Sequence, residues 1–205
     1  LRDVESCDVA IVGIPFDAGT SYRPGARFGP MSIRHASRHL RTNYHTSYDV
    51  EPFKVQQVAD AGDITCNPFS IDESIKQIEE GATDLLNKVG GIISLGGDHT
   101  IAVPLLRAIN KKCNGPVSLV HFDAHLDTWD TYFGAPYTHG TPFRRAREEG
   151  LFLDDASMHV GIRGPLYSRD DIKNDESFGF KIIHCDEFQT EGTDKIAERI
   201  KKRVG

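Results

Sequence analysis

Short apolar runs alternate along this chain with segments of helical periodicity. Runs rich in Val and Ile, each followed by a loop, are typical of buried strands. They occupy residues 7–16, the stretch KVQQVADAGDI, the stretch GIISL, residues 117–120, and the later stretches DDASMHVGIRG and GFKIIHCDEF. The alternation of strand, loop and helix predicts an α/β fold, a three-layer α/β/α sandwich with a mainly parallel sheet.

Helical segments lie between these strands. In residues 70–89, apolar side chains recur at intervals of three and four, with Asp72 and Glu73 in the first turn and two glycines at the end. That pattern predicts an amphipathic helix. Residues 30–40 and 101–110 carry a similar signal, and residues 196–204 form a helix-like run with no strand after it. We therefore expect the natural protein to extend beyond both ends of this chain.

The stretch VSLVHFDAHLD, residues 117–127, ends in a row of alternating polar residues. In an extended strand, four side chains would share one face: His121, Asp123, His125 and Asp127. Such a row is ordinarily the solvated face of a half-buried strand. Here it follows a continuous apolar run, and ligands collect at the carboxyl ends of parallel strands. Because clustered carboxylates are costly to bury without a cation, we predict a metal site.

A second strand, GIISL, leads into Gly-Gly-Asp-His and also ends in acidic and imidazole groups. If the two strands are adjacent and parallel, His99 would lie beside Asp123, His125 and Asp127. Nitrogen and oxygen ligands without thiolate suit manganese, zinc or iron, and a carboxylate bias favours manganese. A carboxylate with ligands on both sides indicates two ions about 3.5–4 Å apart that activate one shared water or hydroxide.

Size and charge narrow the class of protein. A length of 205 residues suits one domain with a sizeable core, which we predict over residues 1–205. With 24 Lys and Arg against 30 Asp and Glu, the net charge is -6, so nucleic acid and membrane surfaces are poor partners. The sequence also lacks an apolar run long enough to span a bilayer and a basic-then-apolar leader at its start.

The cysteines predict a reducing environment. Cys7, Cys66, Cys113 and Cys185 lack Cys-x-x-Cys spacing, which fits neither a disulfide framework nor a thiolate zinc site. We expect free, mostly buried thiols and a cytoplasmic location, with the mitochondrial matrix as the alternative.

Two other groups of residues have weaker functional signals. The glycine-rich and proline-rich loop of residues 19–30 is either a plain connection or an ordered loop that brings Arg23 and Arg27 to a site. The histidines at 35, 39 and 45 lie among arginines, which favours an exposed surface over metal ligation.

Several motifs resemble the ureohydrolase family of arginases and agmatinases, most closely its agmatinase-like branch. They are GIPFDAGTSYRPGARFGP, SLGGDHT, HFDAHLDTWD, HGTPFRRA and GIRG, which follow the family's order over nearly the whole chain. The resemblance implies two manganese ions, with His99 and Asp127 binding the first, His125 the second, and Asp123 both. It also implies the three-layer fold and a homotrimer or homohexamer.

The same resemblance implies the hydrolysis of a small guanidino substrate to an amine and urea. His139 would be the proton shuttle that acts as general acid. Agmatine is the first choice of substrate and guanidinobutyrate the second. In the loop after the metal motif, Asp130 could meet an amine tail and Trp129 could wall the pocket, or Trp129 could pack in the core. Arg144 and Arg145 indicate either a site for a carboxylate tail or, more simply, a salt-bridged surface helix.

One departure from the family pattern qualifies these expectations. Family members carry a later Asp-x-Asp motif followed by a substrate-gripping glutamate, and the nearest candidates here, Asp186 and Glu187, lack that spacing. We therefore expect the C-terminal part of the domain to be missing, and the 205-residue chain to bind manganese weakly and hydrolyse nothing. Two alternative functions are open. The first is a non-catalytic subunit that acts by association. The second is a single-zinc deacetylase, a class of enzyme that resembles this one in fold.

Overall fold

The computed structural model describes residues 4–205 as two compact units, one that extends to Lys112 and one from Cys113 to Gly205. Each unit contains a three-stranded, parallel sheet flanked by helices. The predicted α/β class with parallel strands is confirmed. The single domain over residues 1–205 stays a prediction.

The sheet of the first unit has the strand order β2-β1-β3. Its strands are β1 (Val9–Gly13), β2 (Val58–Asp63) and β3 (Gly91–Leu95). Its helices are α1 (Gly29–Ser37), α2 (Pro52–Val55), α3 (Ile71–Lys88) and α4 (Ala102–Cys113). The central strand β1 contributes Ala10 and Val12, which are fully buried in the core. The apolar run of residues 7–16 therefore forms the buried strand that its composition predicts.

Helix α3 shows why the periodic pattern predicts the element so closely. Ser70 caps its first turn by accepting a hydrogen bond from the backbone N–H of Glu73. In the first turn of a helix such an N–H has no carbonyl partner within the helix, so the cap satisfies it. Its apolar stripe, Ile78, Ala82 and Leu85, is buried in the core of the first unit. The helix thus covers the sheet with one face and leaves its charged face in water.

Asp17 organises the glycine-rich loop that follows β1. Its buried carboxylate accepts hydrogen bonds from the backbone N–H of Gly25 (2.7 Å) and from Nε of Arg27 (2.6 Å). The hydrogen bond from Arg27 is the main reason why the pKa of Asp17 lies below its ordinary value. Arg23 stacks on Tyr22 instead, with 5.0 Å from its guanidinium carbon to the ring centre. Arg27 therefore holds the loop itself in place.

The sheet of the second unit has the order β4-β5-β6. Its strands are β4 (Val120–Phe122), β5 (Ser157–Ile162) and β6 (Phe180–His184). Its remaining helices are α5 (Pro142–Glu148), α6 (Asp170–Ser177), α7 (Glu187–Glu191) and α8 (Thr193–Val204). The central strand β5 is buried along nearly all of its length, and its His159 is the register partner of His121 on β4.

One structural expectation is wrong in this unit. The strand predicted to carry the whole polar row ends at Phe122, and Asp123 to His125 form a bend. Asp123 starts this bend because its carboxylate accepts a hydrogen bond from the backbone N–H of His125 (2.8 Å), a local turn that competes with strand geometry. The strict two-residue alternation therefore does not continue to Asp127.

The cysteines are free as predicted, but the prediction that most of them are buried is wrong. Free cysteines occupy all four positions, although three are only partly buried and Cys113 is exposed. Burial raises the pKa of the Cys66 thiol to about 11. His35, His39 and His45 are exposed, as their arginine-rich surroundings predict. Among residues 4–205, every helix is too short or too polar to cross a membrane.

The ion pair of Asp17 gives a stability prediction. Replacing Asp17→Asn should lower the free energy of unfolding by about 2 kcal/mol at pH 7, because Arg27 and the backbone N–H of Gly25 lose a buried, charged acceptor. Folding lowers the pKa of Asp17, so its contribution is complete above the unfolded-state value of about 4 and is lost as the pH falls through the folded-state value. Urea denaturation at neutral and acidic pH measures both effects.

The matched control is Asp84→Asn, which removes an exposed i,i+4 pair with Lys88. It should cost about 0.5 kcal/mol or less. Equal losses at the two positions would show that Asp17 does not anchor the loop.

Candidate metal site

The carboxyl end of β4 brings together three side chains that could bind a metal ion. His121 lies in the strand, Asp123 begins the bend, and Asp127 follows in the left-handed backbone region at φ 55°. One ligand atom from each of these residues lies within 4.8 Å of the others. His121 and Asp127 are buried and Asp123 is partly so. This group, the β4 cluster, consists of His121, Asp123 and Asp127.

Asp127 enters the β4 cluster through its unusual backbone. A positive φ is uncommon outside glycine, and aspartate is one of the residues that tolerate it. The backbone carbonyl of Asp127 accepts a hydrogen bond from the N–H of Phe143 (3.1 Å) at the start of α5, and the Phe143 side chain is buried. Helix α5 therefore holds the turn that aims Asp127 at the cluster.

His125 occupies a different position from the rest of the predicted row. Its Nδ1 lies 3.1 Å from Oδ1 of Asp123, but 58% of its side chain is exposed. A Cβ added to Gly164 would lie 2.5 Å from Cδ2 of its ring, so glycine at that position gives the imidazole room. The structure thus places His125 beside Asp123 and leaves it outside the β4 cluster.

His121 belongs to the cluster although the ligand set that the family resemblance implies leaves it out. It has the same two-residue spacing from Asp123 as His125 does, on the amino-terminal side. Its position within the last paired residues of the strand keeps it buried, with 6% of its surface exposed. The two-residue spacing from Asp123 was the sequence signal that could have identified His121. Because the strand ends at Phe122, His121 faces inward and His125 does not.

In the first unit, Asp98 shapes the turn that presents His99. Its buried carboxylate accepts hydrogen bonds from the backbone N–H of Gly19 and of Thr100, both at 2.8 Å. A Cβ at Gly19 would approach Oγ1 of Thr100 to 2.0 Å, so only glycine allows this contact. His99 then begins a single turn of 3-10 helix and is partly buried. The aspartate of Gly-Gly-Asp-His is thus a structural residue.

The donor atoms of the β4 cluster fit a divalent cation of the manganese, zinc or iron type. They combine one imidazole nitrogen with carboxylate oxygens and include no thiolate. Two carboxylates at this separation repel each other, and a shared cation would offset that repulsion. The residues present therefore suit the metal centre that the sequence predicts.

The turn that carries His139 is held by buried threonines. Oγ1 of Thr141 donates to the carbonyl of Pro136 (2.8 Å) and accepts from the N–H of Thr138 (2.9 Å). Thr141 is fully buried. His139 is partly buried, and its ring centre lies 5.6 Å from that of Tyr132. The loop histidine is therefore positioned by a defined network.

Trp129 lies in an aromatic group near that turn. Its ring stacks on Tyr132 with centres 5.2 Å apart and contacts Tyr167 at 4.9 Å. It is partly buried, and a Cβ at Gly140 would lie 3.0 Å from its ring. The position fits the wall of a pocket better than a closed core.

Asp130 is bound to an arginine of the next helix. Its carboxylate accepts a hydrogen bond from Nη2 of Arg145 (2.6 Å), which holds the pKa of Asp130 below its ordinary range. Arg144 and Arg145 both pair with Glu148. The two arginines thus form the salt-bridged helix surface that was the simpler alternative, and a substrate amine would have to compete with Arg145 for Asp130.

Glu187 also serves a structural contact. It accepts hydrogen bonds from the backbone N–H of His184 and from Arg199, both at 2.6 Å. Asp186 beside it is exposed and precedes α7. Neither carboxylate belongs to the β4 cluster.

Fold and site together define an α/β protein with nitrogen and oxygen donors at the end of a parallel strand that suit a divalent cation. The sequence model of the arginase family matches residues 7–205, and the chain belongs to that family.

Relatives and solved structures agree with this assignment. Guanidinopropionase of Pseudomonas aeruginosa is 40% identical over 99% of this chain, and the mitochondrial agmatinase of Gallus gallus is 39% identical over 98%. The structure of proclavaminate amidino hydrolase from Streptomyces clavuligerus is 36% identical, with a TM-score of 0.90 over 97% of this chain and 65% of its own. The chain spans 63% of the guanidinopropionase and 58% of the agmatinase.

The threonine network predicts a local stability effect. Thr141→Val should lower the free energy of unfolding by about 1–3 kcal/mol, because the N–H of Thr138 and the carbonyl of Pro136 lose their partner in a buried place. Thr65→Val, at an exposed position, is the control and should change stability by less than about 0.5 kcal/mol. Chemical denaturation of both variants measures the difference, and equal effects would contradict the proposed bracing of the His139 turn.

Proposed function

We propose that this chain carries the metal-binding and proton-transfer residues of a manganese-dependent ureohydrolase, which hydrolyses the guanidino group of a small amine. The observation that carries the proposal is the β4 cluster, since it places a divalent-cation donor set at the strand end where the arginase-family motif lies. Curated relatives named for agmatine and for guanidino acids support the substrate class.

The proposed ligands are those that the family resemblance implies: His99, Asp123, His125 and Asp127. Asp123 and Asp127 already lie in one cluster, and Nδ1 of His125 adjoins Asp123. His99 is supported by its Gly-Gly-Asp-His motif and by the hydrogen bonds of Asp98 that shape its turn.

The reaction breaks one C–N bond of the guanidinium and forms a C–O bond with water. The guanidinium carbon is a poor electrophile because its charge is shared by three nitrogens. When bound, the metal ions would lower the pKa of a coordinated water and so supply a nucleophile near neutral pH. His139 then protonates the leaving nitrogen, which departs as the amine, and urea is the other product.

Agmatine is the proposed substrate and guanidinobutyrate the alternative. Arg144 and Arg145 are engaged by Glu148, which leaves these two arginines less suited to a substrate carboxylate. Contacts of the substrate with Trp129 and Asp130 stay a prediction, and Asp130 would have to release Arg145 first.

The assembly and location are further parts of the proposal. We propose a homotrimer or homohexamer in the cytoplasm. The mitochondrial matrix is the alternative, because relatives from Gallus gallus and Homo sapiens are named as mitochondrial.

Manganese binding tests the site directly. Asp123→Asn should weaken the binding of Mn²⁺ by at least about tenfold, because a carboxylate ligand becomes a neutral amide. Isothermal titration with MnCl₂ on the 205-residue chain measures the affinity. Asp186→Asn, at an exposed carboxylate outside the β4 cluster, is the control and should bind like the unmodified chain. Equal affinity in both variants would refute the site.

The role of His139 is tested by turnover. In the natural-length protein supplied with manganese, His139→Asn should reduce kcat for urea release by about 10²–10⁴-fold, because the general acid is lost, while the affinity for Mn²⁺ is unchanged. His35→Asn, at an exposed helix position, is the control for a histidine replacement.

A panel of agmatine, guanidinobutyrate and guanidinopropionate identifies the substrate. Manganese binding without urea release from any guanidino compound would instead support a non-catalytic subunit.

A further inference from the structure

Large apolar side chains are exposed along one segment of the first unit. Of the fifteen that are exposed among residues 4–205, nine lie in residues 22–55, which make up about a sixth of the described chain. Each of the nine is between 48% and 81% exposed, and the most exposed are Tyr22, Leu40, Tyr48 and Val55. Single exposed apolar residues are ordinary, but such a concentration is not. We call residues 22–55 the exposed segment.

The two helices of the exposed segment bury little of their own surface. In α1 the only buried residue is Pro30, and in α2 every residue is exposed. A polar contact holds α1 instead, in which Nε of Arg34 donates to the carboxylate of Asp60 on β2 (2.7 Å). A helix in a folded protein is ordinarily stabilised by packing its apolar face. The apolar side chains of these two helices, among them Met31 and Phe53, are therefore available to a partner.

The exposed apolar area is large enough for a stable interface. Large apolar side chains have about 150–250 Å² each, so the nine together expose on the order of 1,000 Å². The largest apolar patch on a typical monomer is about 300–600 Å². A standard protein–protein interface buries about 800 Å² on each partner. The area therefore fits an interface better than a solvated surface.

The composition of the exposed segment is also that of an interface. Interface cores are enriched in tyrosine, phenylalanine, methionine and arginine, and are depleted of lysine and of acidic residues. The segment contains three tyrosines, two phenylalanines and five arginines, against one lysine and two acidic residues. Over the whole chain, acidic residues outnumber basic ones by 30 to 24. The segment therefore differs from the rest of the chain in the direction that an interface requires.

Unpaired charges of both signs lie within the exposed segment. Arg38 and Arg41 follow α1 and are exposed, and the structure gives neither of them a carboxylate partner among residues 4–205. Asp49 is also exposed, and it accepts a hydrogen bond from the neutral hydroxyl of Tyr44 (3.0 Å). In a two-fold contact, each position of one copy meets the same partner position of the other copy. A second copy therefore supplies opposite charges to both places at once.

We propose that the exposed segment is a two-fold interface with a second copy of this chain, in which Arg38 and Arg41 of each copy pair with Asp49 of the other. The apolar side chains fill the centre of the contact and the charges form its rim. This inference deepens the assembly that is part of the proposed function. A cyclic homotrimer has no two-fold contact, whereas a homohexamer of two trimers has three, so the inference selects the homohexamer.

The mass of the assembly gives the first test. Sedimentation velocity of the full 205-residue chain at micromolar concentration should show an even number of copies. Phe53→Ala should raise the dissociation constant of the assembly by at least about tenfold, because an aromatic side chain leaves the centre of the contact. Phe69→Ala is the matched control, since Phe69 is exposed in the same unit but lies outside the exposed segment. A monomer or a trimer at every concentration, or equal effects of the two variants, would overturn the inference.

A charge exchange tests the two-fold pairing. Arg41→Glu alone and Asp49→Arg alone should each associate at least about tenfold more weakly, because like charges then meet twice in every contact. In an equimolar mixture of the two variants, each copy again meets the opposite charge, so the mixture should associate as the unmodified chain does. Weakening in both variants without recovery in the mixture would contradict the proposed pairing.

The outcomes separate this inference from the proposed reaction. If the rest of the natural-length protein covers the exposed segment instead, Phe53→Ala will lower the melting temperature of that protein and leave its mass unchanged, which refutes the inference. A monomeric protein that releases urea would sustain the hydrolase proposal and refute the interface. An assembly that responds to the charge exchange as expected, but releases no urea, would do the reverse.

Discussion

The convergence of two carboxylates and an imidazole at the end of one short strand is the constraint on which the rest of the second unit depends. The ligand atoms of Asp123, Asp127 and His121 lie within 4.8 Å of one another. Negative groups at that separation in a partly buried place repel each other unless positive charge is near. The local structure around them is arranged to hold that geometry.

Several features that look separate serve this one arrangement. The bend at Asp123 ends β4 early, the left-handed backbone at Asp127 returns the chain, and α5 holds the turn through the N–H of Phe143. Behind the strand, His159 contacts Nδ1 of His121, and Asp175 lies against the other side of His159. The geometry of the β4 cluster thus depends on residues outside it.

Sequence reasoning predicted much of the fold because the patterns are local. The stripe of α3 and the apolar run of β1 each determine an element through burial of one face or two. The parallel α/β class follows from the order of those elements. The single wrong strand length, at residues 117–127, arose because the side chain of Asp123 binds a backbone N–H, an interaction that periodicity does not encode.

The motif residues of the candidate site could be predicted from the sequence, but the residues that hold them in position were harder to predict. Asp123 and Asp127 follow from the alternating row and the family resemblance, and His121 had the right spacing but no assigned role. Asp175 lies in a polar helix whose composition gives no sign of a buried carboxylate. The pairing of Asp130 with Arg145 was equally hidden, since it joins a loop to a helix across 15 residues. Such contacts depend on tertiary packing.

Anomalous X-ray diffraction at the manganese absorption edge, from crystals grown with MnCl₂, tests the central claim most directly. We expect a strong anomalous peak bonded to the carboxylates of Asp123 and Asp127. A crystal with those side chains placed as described and manganese peaks only elsewhere on the protein would contradict it.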